Sequence, residues 1–183
     1  MRNGIQSLIK ANGINFYQGE AEIIDNKTVS VGDKEITSDY IVLAAGARTA
    51  IPPIPGIENA LNSNDIISGN YGDFNSIAII GGGVIGVEFA TFFSELGKEV
   101  TVIDILPNVL DAVSNDISKY ISMALKKKGV KIFGLSSVRK ISADGEKAKV
   151  EIISKDKPVE MFADKVLCCT GRKAAKIKSN VEI

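Results

Sequence analysis

Apolar and polar positions along the chain follow two periods, and the switch between them predicts the elements. Ile5, Leu8 and Ile9 recur at helical spacing over residues 3–11, and Asn12-Gly13 supplies a stop. Residues 14–17 read as a strand. Short alternating segments at 21–24, 28–31 and 35–36, punctuated by Asp25-Asn26 and Gly32-Asp33, predict a small meander. Tyr40-Ile41-Val42-Leu43-Ala44 is continuously apolar, so it is expected as a strand buried on both faces. Pro52, Pro53 and Pro55 then force an extended connector, because proline cannot donate to a ladder and restricts the residue before it.

Beyond the connector the pattern changes. An apolar strand at 77–80 meets a glycine-rich turn, a helical period runs over 84–96 to Gly97, and a second strand at 98–104 ends in Asp104. A further helix is expected from Ser114 or Asp116 to about Lys128, with Ile117, Ile121, Ala124 and Leu125 as its apolar face. Its terminal Lys126–Lys128 run suits the negative end of a helix dipole better than a phosphate site. A strand at 130–133, a meander at 138–162 and a buried strand at 165–169 complete the pattern.

The order strand, glycine turn, helix, strand, acid is a dinucleotide-binding fingerprint. Gly81, Gly83 and Gly86 fill G-x-G-x-x-G, and Asp104 stands at the expected distance. Gly81 is expected to permit the tight turn, Gly83 to let the backbone approach a pyrophosphate, and Gly86 to let helix pack on strand. The amides near Val84 and Ile85 would then bind the phosphates at the helix start. Asp104 is expected to accept from the ribose hydroxyls and to repel a 2′-phosphate. No lysine or arginine follows it before Lys119, which favours NAD(H) over NADP(H). The predicted fold class is α/β: a Rossmann-like domain with a parallel sheet and an antiparallel meander.

Composition narrows the chemistry. Twenty-two basic residues balance 22 acidic ones, so no net field favours nucleic acid. With no histidine, neither His-based acid–base catalysis nor a His metal site is available, and no catalytic or metal residues are assigned. Cys168 and Cys169 are adjacent, a spacing unsuited to a metal site or an ordinary bridge, and are expected in the core. No apolar run has membrane-spanning length and the N-terminus lacks signal-peptide character, so a cytoplasmic protein is expected.

The chain also contains a repeat. Residues 5–48 and 121–172 each run from an amphipathic helix ending at glycine, through a strand and meander, to an apolar strand, a glycine (Gly46, Gly171) and an arginine (Arg48, Arg172). Only the second copy follows its own strand–glycine turn–helix–strand. The domains read as 1–48, a remnant of a second dinucleotide-type domain; 49–73, a linker; 74–172, the NAD-binding domain; and 173–183, a tail, with 176–183 expected as an unpaired continuation. The chain is expected to be a piece of a longer protein.

Ala44-Ala45-Gly46-Ala47-Arg48, Pro52-Pro53-Ile54-Pro55-Gly56, the run from Ile79 to Ala90, Val102-Ile103-Asp104 with Leu106-Pro107, and Cys169-Thr170-Gly171-Arg172 resemble the pyridine nucleotide–disulfide oxidoreductases, most closely the dihydrolipoamide dehydrogenase branch. Ala44-Ala45-Gly46 departs from the commoner Ala-Thr-Gly, and Ala174-Ala175 from a proline and asparagine.

The resemblance implies an intact flavoprotein in which NAD+ is reduced by way of FAD and a redox-active cysteine pair, with that pair before Met1 and a His–Glu pair after Ile183. The fragment alone is expected to be inactive. An NADH oxidase or other disulfide reductase, and a stand-alone NAD-binding sensor, are the alternatives. The resemblance also implies Glu88 and Gly171 near the nicotinamide half and Val138 near the adenine. It further implies Ala21, Ala45 and Gly46 at FAD in the intact enzyme. Each has a plainer reading: a solvated helix acid for Glu88, strand packing for Val138, a turn for Gly171. The expected partners are NAD(H), the missing FAD and interface domains and, from the unpaired strand at 41–44, a second copy of the chain.

Overall fold

The computed structural model describes residues 2–181. It divides into two units, Met1–Ala47 with Ala174–Ile183, and Arg48–Lys173. In the first unit the expected helix is α1 (Arg2–Ala11), closed by the Asn12 side-chain amide, which donates to the Leu8 carbonyl at 2.8 Å. Strands β1 (Ala21–Ile23), β2 (Thr28–Val31) and β3 (Lys34–Thr37) form the expected antiparallel meander.

Three expectations fail in this unit. Residues 14–17 are not a strand, and Ile14, Phe16 and Tyr17 lie exposed. Residues 40–44 form no strand either, and Tyr40 and Val42 are each 87% exposed. A continuously apolar strand is stable only between neighbours that cover its faces and take up its N–H and C=O groups. No strand of this unit's sheet lies beside it. Conversely, the tail is not unpaired: Lys178–Ser179 is a strand parallel to β1, with Lys178 opposite Glu22 and its ammonium 3.1 Å from Glu20.

β4 (Ala47–Thr49) leads into the proline connector. The segment expected as a linker carries structure of its own: a single 3-10 turn at Ile57–Asn59, strand β5 (Leu61–Asn62) and helix α2 (Ser63–Ile67). Its sequence signal is a capping box. Asn62 accepts from the Asn64 N–H at 2.9 Å, and Asp65 accepts from the Asn62 N–H at 2.8 Å.

The second unit follows the predicted order. β6 (Ser76–Ile80), α3 (Val84–Glu95), β7 (Glu99–Ile103), α4 (Asn115–Lys127) and β8 (Lys131–Phe133) precede the meander β9 (Ser136–Asp144), β10 (Lys147–Ser154) and β11 (Lys157–Ala163). β12 (Lys165–Cys168), β13 (Arg172–Ala174) and β14 (Lys178–Ser179) end the chain, β13 pairing with β4.

The main sheet is parallel, in the order β5-β12-β6-β7-β8, and the meander forms a separate three-stranded antiparallel sheet. The unbroken apolar character of β6 reflects two buried faces. Ile77 and Ile79 pack with Phe93, Val102 and Leu167 in the cluster that includes α3 and α4, while Ala78 and Ile80 pack with Ile141, Val150 and Ile152 of the meander. Among the described residues no helix is long and apolar enough to cross a membrane.

Candidate functional site

β6 has β7 on one side and β12 on the other, so the crossovers leave in opposite directions from its C-terminal end. That divergence opens a crevice at the strand ends, the usual ligand position in an open α/β sheet. The glycine turn lies there. Gly81 adopts φ +105°, and a Cβ on it would lie 2.5 Å from the Cys169 carbonyl oxygen. Both conformation and space therefore demand glycine. A Cβ on Gly86 would lie 1.9 Å from the Gly81 carbonyl oxygen, so close contact of α3 with the turn requires this residue too.

Gly83 differs. It has no positive φ, and a Cβ placed there meets nothing within 4 Å. The protein leaves room for a side chain at Gly83, so neither backbone conformation nor packing within the chain requires glycine there. Gly83 is also the N-cap of α3 and offers no side-chain cap. The first N–H groups of a helix lack intrahelical acceptors, so those of Val84 and Ile85 are donors at the positive dipole end of α3, and Val84 lines the crevice. The residues present thus fit a dinucleotide pyrophosphate.

Asp104 stands directly after β7. Its carboxylate accepts from the N–H of Gly82, and from that of Leu106 at 2.7 Å. The cleft beside it has a volume of about 540 Å³. Gly81, Gly83, Val84, Asp104, Val138 and Gly171 all line it, as does a second carboxylate, Asp111; among the described residues no lysine or arginine does. Of the other residues singled out in the sequence, Ile85 is half-buried against the core, Gly86 is buried under the turn, and Glu88 is exposed on α3 outside the cleft lining. Ala45 and Gly46 line a small hollow in the first unit with Leu43 and Ala174–Ile177, and Ala21 on β1 lies outside that lining.

Sequence reasoning missed Asp111, Leu110, the Ser136–Ser137 pair and Pro52. The 105–113 loop has no periodicity, and only the fold brings the connector to the cleft. There the Thr170 hydroxyl donates to the Ala50 carbonyl at 3.1 Å. Cys168 and Cys169 are free and buried as expected. Burial, and secondarily the charge of Cys168, pushes the Cys169 thiol up to about 12, so it lines the cleft as an apolar wall.

Known proteins resemble this chain along most of its length. The model of the family described as pyridine nucleotide-disulphide oxidoreductase matches residues 1–183. A dihydrolipoyl dehydrogenase of Acholeplasma laidlawii is 32% identical over 181 residues, covering 95% of this chain and 52% of its own length. A glutathione reductase of Nostoc sp. is 34% identical over 166 residues, covering 91% of this chain and 36% of its own length. Among solved structures, the HOCl-induced flavoprotein disulfide reductase RclA from Escherichia coli superposes with a TM-score of 0.76 at 31% identity, over 95% of this chain and 40% of that one. The chain spans about half the length, or less, of these relatives.

Proposed function

The chain belongs to the pyridine nucleotide-disulphide oxidoreductase family, and on that premise we propose that its second unit is the NAD(H)-binding platform of a flavoprotein resembling dihydrolipoyl dehydrogenase. The observation that carries this is the open flank of Gly83 at an uncapped helix start. When bound, the nicotinamide supplies a hydride acceptor or donor. The chain's residues bind and orient it. Gly81 and Gly86 hold the turn, the Val84 and Ile85 amides take the phosphates, and Asp104 takes the adenosine ribose. Val138 flanks the adenine, and Gly171 and Glu88 lie toward the nicotinamide half. Two carboxylates and no cation in the cleft lining oppose a 2′-phosphate. Ala21, Ala45 and Gly46 would meet FAD in the intact enzyme.

A second reading, another disulfide reductase of the same family, is supported by the glutathione reductase relative, whose 34% identity matches the 32% of the dihydrolipoyl dehydrogenase. The number and spacing of cysteines encoded beside this chain separate the two. The exposed apolar run at 40–44 further supports pairing with another chain, which sedimentation at increasing concentration would reveal.

The direct test is calorimetric titration of the 183-residue chain with NADH and NADPH. NADH is expected to bind more tightly, and tighter NADPH binding would overturn the assignment. The purified chain is expected to be colourless and inactive toward dihydrolipoamide; a stoichiometric flavin spectrum would contradict that.

A further inference from the structure

Gly82, the variable position of the fingerprint, has its peptide held at both ends. Its N–H donates to the Asp104 carboxylate, and its carbonyl accepts from the Leu110 N–H at 2.7 Å. Leu110 takes φ +54° to do this, an unfavourable conformation for a branched residue. The preceding Val109 is fully buried, and its carbonyl accepts from the buried Ser118 hydroxyl on α4 at 2.6 Å. The other Asp104 oxygen accepts from the Leu106 N–H, so the one carboxylate also fixes the start of the same loop. Each end of the 105–110 loop is thereby tied, directly or through Asp104, to the glycine whose neighbour Gly83 faces the open cleft.

Resting on the dinucleotide assignment, we infer that Asp104 is a positioning residue for the phosphate-binding turn as well as the ribose acceptor. Cofactor choice and pyrophosphate binding are then coupled through one carboxylate. A carboxylate has about four lone-pair sites, so accepting two backbone amides leaves capacity for ribose hydroxyls. The consequence is specific. Removing the charge of Asp104 removes the repulsion of a 2′-phosphate, but it also frees the Gly82 peptide that aims the turn. A change at Asp104 alone therefore does not convert the chain to NADP(H).

The test is Asp104→Asn in the full chain, read two ways. In the ligand-free protein, amide hydrogen exchange is expected to rise roughly tenfold or more at Gly82 and Leu106, on the scale of a lost charge-assisted hydrogen bond, with the core amide of Val102 unchanged. In titrations, NADH is expected to weaken and NADPH to bind no better than to the wild type. Unchanged exchange at Gly82, or tighter NADPH binding than wild type, overturns the inference.

If the variant does not fold, the wild type decides. Gly82 and Leu106 are expected to exchange at least about tenfold more slowly than Gly83, whose N–H has no acceptor among the described residues; equal rates overturn the clamp. A wild-type chain that binds no NADH would instead sink the dinucleotide assignment, leaving the exchange comparison to decide the clamp.

Discussion

Residues 164–171 and 39–46 occupy matching positions in the two repeats, each running from an aspartate through an apolar strand pattern to a glycine. In the second unit, β12 lies between β5 and β6, Leu167 is fully buried, and Asp164 accepts from the N–H groups of Asn75 and Ser76 at 2.8 and 2.9 Å. In the first, the run has no strand partner among the described residues, and Val42, the counterpart of Leu167, is 87% exposed. Asp39, the counterpart of Asp164, pairs with the Lys27 ammonium at 3.1 Å, with its side chain 82% exposed. A buried parallel strand is thus a property of its neighbours, because both its apolar faces and its backbone groups must be satisfied from outside.

The largest expected effect tests the matched apolar pair. Leu167→Ala should cost about 2–5 kcal/mol, as for other buried leucines. Val42→Ala, at an exposed site, should stay within about 0.5 kcal/mol. Urea unfolding midpoints measure both, and equal shifts would break the comparison.

The matched aspartates give a smaller effect. The Asn75 N–H, foremost, with help from Ser76, holds the Asp164 carboxyl below its ordinary value near 3.8, although burial pushes it the other way. A carboxyl lowered in the folded state contributes stability that is fully present above its unfolded value and is lost as pH falls through the folded one. Asp164→Asn should therefore cost about 1 kcal/mol at neutral pH, and the difference from wild type should fade below about pH 4. Asp39→Asn should leave stability within about 0.5 kcal/mol at both pH values, since an exposed ion pair contributes little. Thermal melts at pH 7 and pH 3 would check this, and a pH-independent Asp164 effect would contradict it.

The smallest effect is chemical. With its thiol pushed up to about 12 and buried, Cys169 should resist alkylation in the folded chain and react once denatured. Rapid labelling of native protein would show that the β12 end opens.

These contrasts explain what could be read in the sequence. The elements of residues 76–168 and their glycine turn were legible because period, stop residues and fingerprint agree locally. The Tyr40 run misled because partnership of a parallel strand is non-local. β5 was invisible because two residues show no period, although the Asn62–Asp65 box marked the helix after it. The fingerprint located Asp104, but its hold on Gly82 and Leu106 depends on the path of an aperiodic loop, and so does the placing of Asp111 in the cleft.

Gly81 and Gly86 are required by the protein itself, whereas Gly83 has open space on its side-chain flank. Gly83→Val, with NADH titration and thermal melting of one preparation, tests that division most directly. The expected result is a melting temperature lowered by no more than the few degrees of a poorer N-cap, with NADH affinity reduced by roughly a hundredfold, about 2.7 kcal/mol. Unchanged NADH affinity in the folded variant would contradict the assignment of this turn as the pyrophosphate site.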